Sequence, residues 1–362
     1  MLALFRACLL TFACCAAQAS TVKDADTLVN QFFDASGAPG LAVSVGYEGR
    51  LIWSKGYGFA DLEQQVAVVP AFTLFRIGSV VKPMTALALV TLVEQGKIDL
   101  DADVRRYVPS FPSKSHVITS RQLVSHLGGI RHYLGEEAYL RERYSSVGEA
   151  LKIFQADPLI ATPGAAWNYS SYGFNLLSAA IEHAADKSFV DYMATAVFAP
   201  LGMTRTFPDH LEAILPGRGR YYLRRDGALF NEPEVDNSYK WASGGFLSTT
   251  DDVVRFGLAH FDDQRVTRSQ RELLWTEQRT SAGEPTGYGI GWRVLVDADG
   301  VTWVGHGGGS IGGTSQLWLF PQDQLVIAMA SNMTELDYAD VLPRLRKLFV
   351  ADAEKRVPTA GD

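Results

Sequence analysis

The segment Arg76–Gly96, RIGSVVKPMTALALVTLVEQG, places a serine and a lysine three residues apart at the head of an apolar run. A hydroxyl becomes a nucleophile when a neighbouring base removes its proton, and Lys82 stands one helical turn from Ser79 on the same face. Val80 to Val93 is apolar almost all round, the pattern of a buried central helix. Pro83 is tolerable within the first turn, and Gly96 suits the position just past the helix end. Burial and the positive end of the helix both disfavour an ammonium, so Lys82 is expected to lose its proton near neutral pH and act as a base. The backbone N–H of Ser79 can then help to hold an oxyanion. Spacing alone fits a helix-capping serine and a snorkelling lysine equally well. A second S-x-x-K, Ser20 to Lys23, shows how little the bare pattern says. The single charge in the first turn of an apolar helix is what favours chemistry at Ser79.

A group to complete proton transfer is expected in TPGAAWNYSSYGFNLLSAAIEHA, residues 162–184. Tyr169 lies at a loop-to-helix junction, with Ser170 and Ser171 as caps and Phe174, Leu177, Ile181 and Ala184 along one helical face. There it can share a proton with Lys82 and Ser79, although a tyrosine in such a loop is otherwise a packing residue. VGHGGGSIGG, Val304–Gly313, offers a rival: an HGGG oxyanion loop at His306–Gly309 overlapping a G-x-S-x-G centred on Ser310. An α/β-hydrolase elbow needs a helix after its serine, an acid and a histidine further on, and its HGGG loop well upstream. Here a strand pattern follows Ser310, no histidine occurs beyond His306, and the two motifs overlap. That esterase reading ranks behind the others.

The elements that must position these groups follow from periodicity. Residues 21–35 have helical spacing, and LAVSVGYEGRLIWSKGYG (41–58) reads as two strands around Glu48-Gly49-Arg50. Residues 79–209 are mostly helical. Asp226-Gly227 supplies the positive φ of a tight hairpin turn, and Ser248-Thr249-Thr250-Asp251 caps a helix through His260. GIGWRVLV, VTWVGH, TSQLWLF and LVIAMAS return to strand, and a helix near Asp337–Phe349 ends the fold. The order implies an antiparallel sheet built from both ends of the chain and flanked by terminal helices, with a helical lobe inserted. A cleft between such lobes is a common place for a site.

The 362 residues, 47% hydrophobic, can bury a large core. Residues 1–19 read as a secretory signal: Arg6, a short apolar run, and Ala17-Gln18-Ala19 as the cleavage site. The run is short of the roughly 20 apolar residues of a membrane span, so membrane contact is expected only through the signal. Cys8, Cys14 and Cys15 all fall within it, which removes disulfides, thiol catalysis and Cys-ligated zinc from the mature chain. The histidines show no ligand-like pair, so no metal or other cofactor is expected. Without Arg6, 32 basic residues face 40 acidic ones, a net charge of −8. With no basic stripe, nucleic acid is not an expected partner.

Ser79-x-x-Lys82, Tyr169-Ser170-Ser171 and His306-Gly307-Gly308, in this order and at these separations, resemble the three motifs of the penicillin-recognising serine hydrolases. That superfamily includes class C β-lactamases, DD-carboxypeptidases and related esterases. The likeness extends from about Leu28 to Val350. PEVDNSYKWASGGFLSTTDDVVRFG (233–257), SHLGGIRHY (125–133) and HGGGSIGG are especially similar to the mitochondrial serine β-lactamase-like proteins and their bacterial relatives.

The resemblance implies an α+β, β-lactamase/transpeptidase-like fold. Its sheet lobe is expected at 20–78 and 245–355, its mainly helical lobe at 79–244, and a disordered tail at 356–362. It implies an exported hydrolase, periplasmic or secreted, that forms an acyl-enzyme at Ser79 with a small-molecule or peptide ester or amide. Ser79, Lys82, Tyr169 and His306 are the implied catalytic residues. The N–H groups of Ser79 and Gly309 form the implied oxyanion hole, and Ser171, Gly307 and Gly308 are the implied substrate contacts; Trp241 is read as a pocket residue that suits a core or loop-anchoring role equally. A catalytically weak scaffold, or a homo-oligomer that keeps the fold, is the alternative of a different class. Three departures stand out: Ser171 replaces the amide of Tyr-x-Asn, Gly307 lacks the usual hydroxyl, and His306, neutral near pH 7, stands where many relatives carry lysine. All three weaken the case for β-lactams or D-Ala-D-Ala termini, both of which present a carboxylate. Losing one charge-assisted hydrogen bond costs about 1.5–3 kcal/mol, enough to change substrate class.

Overall fold

The computed structural model describes residues 20–356; the expected signal at 1–19 and the tail from 357 lie outside the described residues. These residues form two compact units, 20–38 with 336–356, and 39–335. In the first, residues 20–36 are helical, Val341–Arg356 is the final helix, and Phe32 packs on Tyr338 with ring centroids 5.6 Å apart. The final helix begins later than expected because Asp337 accepts a hydrogen bond from the N–H of Ala339, a local turn that competes with helix. It also runs past Phe349 to Arg356, the first residue of the expected tail. No helix among the described residues is long and apolar enough to cross a membrane.

The second unit holds a seven-stranded antiparallel sheet. Its strands are β1 (Gly40–Tyr47), β2 (Arg50–Asp61), β3 (Val66–Ala67), β4 (Arg293–Val296), β5 (Thr302–Ser310), β6 (Gly313–Phe320) and β7 (Leu325–Ser331). They lie in the order β3-β2-β1-β7-β6-β5-β4. The join between early and late chain is β1 against β7, in register from Leu41↔Ser331 to Tyr47↔Leu325. Both central strands are almost wholly buried, which is why they read as near-continuous apolar runs. Helix Thr250–Ala259, capped by the Thr249 hydroxyl, packs on β1 and β7, and Asp251 accepts a 2.7 Å hydrogen bond from the buried Ser44 hydroxyl.

Three local expectations are revised. GIGWRVLV is strand only over Arg293–Val296, because the N–H of Gly289 turns back onto the carbonyl of Trp292 and Gly291 adopts φ +78°. Trp292 is thereby buried face to face with Phe256. The stretch read as mostly helical holds only two long helices, Val81–Glu94 and Ser171–Ala185. Most of its other helices, such as Ser120–Val124 and Val147–Leu151, are single turns separated by irregular backbone, while Phe189–Tyr192 runs directly into a π-helical segment, Met193–Phe198. Finally, a small sheet of Phe75–Arg76, Phe207–Pro208 and Phe246–Ser248 had no signal in the periodicity. It fixes the chain just before Ser79, aided by a buried 2.7 Å ion pair between Arg76 and Asp209.

Strand β5 meets the turn before Ser79 at Gly308. A Cβ on Gly308 would stand 2.1 Å from the Ile77 carbonyl oxygen and 2.5 Å from the Ser315 hydroxyl, whereas a Cβ on Gly309 meets nothing within 4 Å. Gly308→Ala must therefore push the strand off the turn. It is expected to lower the melting temperature by several degrees, in line with about 1–3 kcal/mol for overpacking, while Gly309→Ala leaves it near the wild-type value. Parallel thermal melts of the two variants check this.

Candidate active site

Ser79 lies in the one-turn 3-10 segment Gly78–Val80 that leads into the Val81–Glu94 helix. Neither turn nor helix has a side-chain cap, so the Ser79 hydroxyl is not occupied as the spacing allowed. It is bonded instead by Lys82 Nζ at 3.1 Å and by the Tyr169 hydroxyl at 2.8 Å. Lys82 does not snorkel: its side chain is wholly buried. Nζ also donates to the Ser243 carbonyl at 2.8 Å and to the Ser171 hydroxyl at 3.2 Å, and lies 4.8 Å from the Tyr169 ring centroid.

Burial drives the Lys82 pKa well below 10.5, and the nearby Lys240 adds to the effect. A neutral amine has two N–H donors and one lone pair, which matches the three partners. Nζ lies within donating distance of the Ser243 carbonyl, the Ser171 hydroxyl and the Ser79 hydroxyl, and once its proton is lost two N–H groups remain for the first two while the lone pair can accept the Ser79 O–H. Burial acts on Tyr169 in the opposite sense and raises its pKa, so the phenol keeps its proton and donates to Ser79. Of the two candidate bases, Lys82 is the one that can take the serine proton.

Tyr169 is held by the loop that SHLGGIRHY announced. Ser170 caps the Ser171–Ala185 helix, its hydroxyl accepting from the N–H of Gly173 and donating to the Arg131 carbonyl. His126 Nδ1 accepts the N–H of Ser170 at 3.1 Å, and His132 Nδ1 accepts that of Ser171 at 3.2 Å. An imidazole nitrogen that accepts from an amide carries no proton, so both rings are neutral, their protons on Nε2. Burial accounts for this: it pulls His132 down to about 4 and His126 well below its usual value. The His126 ring lies 4.3 Å from that of Tyr169 and fixes its plane. Arg131 binds Glu137 and Asp157 and so anchors the loop.

The third segment joins the site through its backbone. Pairing of β5 with β4 ends at Gly305↔Arg293, so His306–Gly309 has no strand partner on that side among the described residues. Gly309 abuts the turn of the nucleophile: Gly78, at φ +49°, has so little room that a Cβ there would lie 2.6 Å from the Gly309 carbonyl oxygen and 2.9 Å from its nitrogen. Gly78 opens the 3-10 turn and Ser79 follows it, so the Ser79 N–H stands ahead of the first bonds of that turn, which begin with Val80 N–H to the Ile77 carbonyl.

His306 is brought beside the other site residues. Its Nδ1 lies 2.5 Å from the Gly307 carbonyl and must donate to it, so Nε2, 3.0 Å from the Tyr288 hydroxyl, accepts. Both nitrogens are thus engaged by the protein. Burial, followed by the field of Lys82, brings its pKa down to about 3. Its ring centroid is 6.2 Å from that of Tyr169, which makes it a neutral wall of the site. Gly308 packs closely under Ile77, and Gly307 faces the Gln316 side chain. Trp241 is not brought to Ser79: its ring is buried against His210 and Phe246. Ser171 is present, but as a partner of Lys82.

Sequence reasoning missed the Ser243 carbonyl, Tyr288 and Lys240. The short helix Trp241–Gly244 is tied to the central helix by Lys82 Nζ to the Ser243 carbonyl and by the Thr85 hydroxyl to the Ala242 carbonyl. A carbonyl has no residue-type signature, and SYKWASGG was noticed only as part of a resemblance.

Known proteins place this arrangement. The family profile described as "Beta-lactamase" matches residues 25–351. The human Serine beta-lactamase-like protein LACTB, mitochondrial, is 30% identical, covering 84% of this chain and 73% of its own. Penicillin-binding protein 4* of Bacillus subtilis is 26% identical over 79% of this chain and 66% of its own. The octameric penicillin-binding protein homologue from Pyrococcus abyssi superimposes with a TM-score of 0.79 at 24% identity, covering 91% of this chain and 77% of its own, and shares the fold. Because the family profile spans residues 25–351 and the human relative reaches 30% identity, the chain belongs to the Beta-lactamase family of serine hydrolases.

Proposed function

We propose that the protein hydrolyses esters or amides through an acyl-enzyme on Ser79. The observation that carries this reading is the Ser79 hydroxyl lying between a buried amine at 3.1 Å and a phenol at 2.8 Å. Lys82 takes the Ser79 proton as Oγ forms a bond to the substrate carbonyl carbon. The developing oxyanion is held by the N–H groups of Ser79 and Gly309. Tyr169 gives its phenolic proton to the leaving oxygen or nitrogen as the scissile bond breaks, and Lys82 returns a proton to Tyr169. The pair is then reset to receive a proton from the water that releases the acid.

The departures of the second and third motifs bear on the substrate. The Ser171 hydroxyl and both His306 nitrogens are engaged by protein groups, and position 307 has no hydroxyl. These positions offer a carboxylate neither a cation nor an amide, which favours neutral acyl groups over β-lactams. Export to the periplasm or medium is supported by Arg6, the apolar run and Ala17-Gln18-Ala19; the human relative's own name assigns it to mitochondria.

Wild-type protein is expected to react stoichiometrically with a fluorophosphonate and to cleave p-nitrophenyl esters faster than nitrocefin, with Ser79→Ala losing both reactions. Mass spectrometry of the labelled peptide and a chromogenic panel check this, and label on any other residue rules out the assignment. Tyr169→Phe, which keeps the ring, is expected to lower kcat by 10²–10⁴-fold, the usual contribution of a general acid. Its measure is kcat on the same ester at an unchanged melting temperature.

Lys82 works only without its proton, so activity rises with pH through its lowered pKa and is lost below it. The plateau of kcat/KM is expected to be reached far below pH 10.5. A profile still climbing near the ordinary lysine value removes Lys82 from the role of base.

A further inference from the structure

The hairpin that carries the third motif decides which backbone groups of β5 are free. Ser310 pairs with Gly313 across the two-residue turn Ile311-Gly312, so those two residues exchange their hydrogen bonds. Backbone groups alternate sides along a strand. Val304, His306, Gly308 and Ser310 therefore bond to β6, whereas Gly305, Gly307 and Gly309 turn their N–H and C=O the other way. On that side Gly305 meets Arg293, the first residue of β4. Gly307 and Gly309 are left to carry the open edge.

The two are not equally available. The Gly307 carbonyl accepts from His306 Nδ1 at 2.5 Å, a bond made from within the strand itself. The imidazole is held in place because its Nε2 accepts from the Tyr288 hydroxyl at 3.0 Å. Tyr288 is 1% exposed, and its ring stands at 88° to that of His306 and 6.0 Å from that of Trp167. The Tyr288 backbone bridges to Arg293, and its carbonyl accepts from the N–H of Gln278 at 2.8 Å. Buried, braced groups thus occupy Gly307.

We propose that His306 is a specificity-determining residue that caps the open edge at Gly307, so that substrate pairs with β5 at Gly309 alone. This rests on the acyl-enzyme reading above, in which the Gly309 N–H holds the carbonyl under attack. A substrate chain that continues the sheet runs antiparallel to β5, as the neighbouring strands do. Its residue opposite Gly309 gives its carbonyl to the Gly309 N–H and its own N–H to the Gly309 carbonyl. Two residues on, past the scissile bond, the chain reaches Gly307 and needs the carbonyl that His306 holds. A second donor would have to share that oxygen and fit beside the imidazole. The acyl side keeps its pairing and the leaving side has none. The substrate class is accordingly an ester or amide with a compact leaving group, a simple alcohol or amine, rather than an internal bond of an extended chain.

The probes are three esters of N-acetylalanine, each in both enantiomers of alanine: with methanol, with lactic acid N-methylamide and with lactic acid N,N-dimethylamide. The N-methylamide alone presents an N–H opposite Gly307. For wild type, kcat/KM on the N-methylamide is expected to be no higher than on the other two. His306→Leu keeps the bulk and removes the donor. It is expected to raise the ratio of N-methylamide to dimethylamide about fivefold, the usual worth of one neutral hydrogen bond. Tyr288→Phe releases His306 Nε2 and is expected to move the same ratio by less, and it serves where His306→Leu does not fold. A loss of activity from disturbed packing lowers all three rates together and leaves the ratio unmoved. An unmoved ratio in the folded variants overturns the cap, and so does a fivefold wild-type preference for the N-methylamide. If wild-type Ser79 takes no fluorophosphonate label, the acyl-enzyme reading falls and this inference with it. A labelled Ser79 with a wild-type preference for the N-methylamide overturns the cap alone.

Discussion

A lysine amine with no access to water is the constraint on which the rest of this structure depends. An ammonium buried without a carboxylate costs several kcal/mol, and no acid is among the hydrogen-bond partners of Lys82. Giving up the proton removes that penalty. The neutral amine then needs one carbonyl, one hydroxyl acceptor and one hydroxyl donor, which Ser243, Ser171 and Ser79 supply. Those three come from separate parts of the chain, and much of the second unit holds them together. The small sheet and the Arg76–Asp209 pair fix the approach to Ser79, the Ser170 cap fixes Ser171, and the short helix after Lys240 fixes the Ser243 carbonyl.

The same burial decides the roles of the aromatic and imidazole groups nearby. Low local polarity disfavours whichever form is charged, so it lowers lysine and histidine and raises tyrosine. Around Ser79 this produces a proton acceptor at Lys82, a proton donor at Tyr169 and three imidazoles that act as fixed hydrogen-bonding walls. His306 shows the difference between a motif position and a chemical role. It occupies a family position on β5, yet the Gly307 carbonyl and the Tyr288 hydroxyl take both its nitrogens.

Much of this was legible in the sequence where a residue type carries its own physics. The all-apolar helix with one lysine announced burial of Lys82, and Asp226-Gly227 announced its hairpin, where both residues take positive φ. The central strands were legible because continuous burial leaves continuous apolarity. Partners provided by backbone were not legible. The Ser243 carbonyl, the close approach of Gly309 to Gly78 and the two-residue strand before Ser79 depend on tertiary placement and leave no pattern in residue type. Trp241 was left open for a related reason: a large aromatic near a glycine pair suits a pocket wall as well as a core, and its packing against His210 and Phe246 is a tertiary feature.

The pairing of β1 with β7 sets the order in which this machinery comes into being. Residues 41 and 331 must meet before the sheet closes, and contacts so distant in sequence form slowly because a long loop has to be closed first. The Gly309 backbone lies on the late side of that closure and Ser79 on the early side. A nascent chain carries its serine and lysine long before it has the strand that shelters them, and in water that lysine is protonated and the serine inert. The burial that lowers the Lys82 pKa therefore waits on strands made late in synthesis.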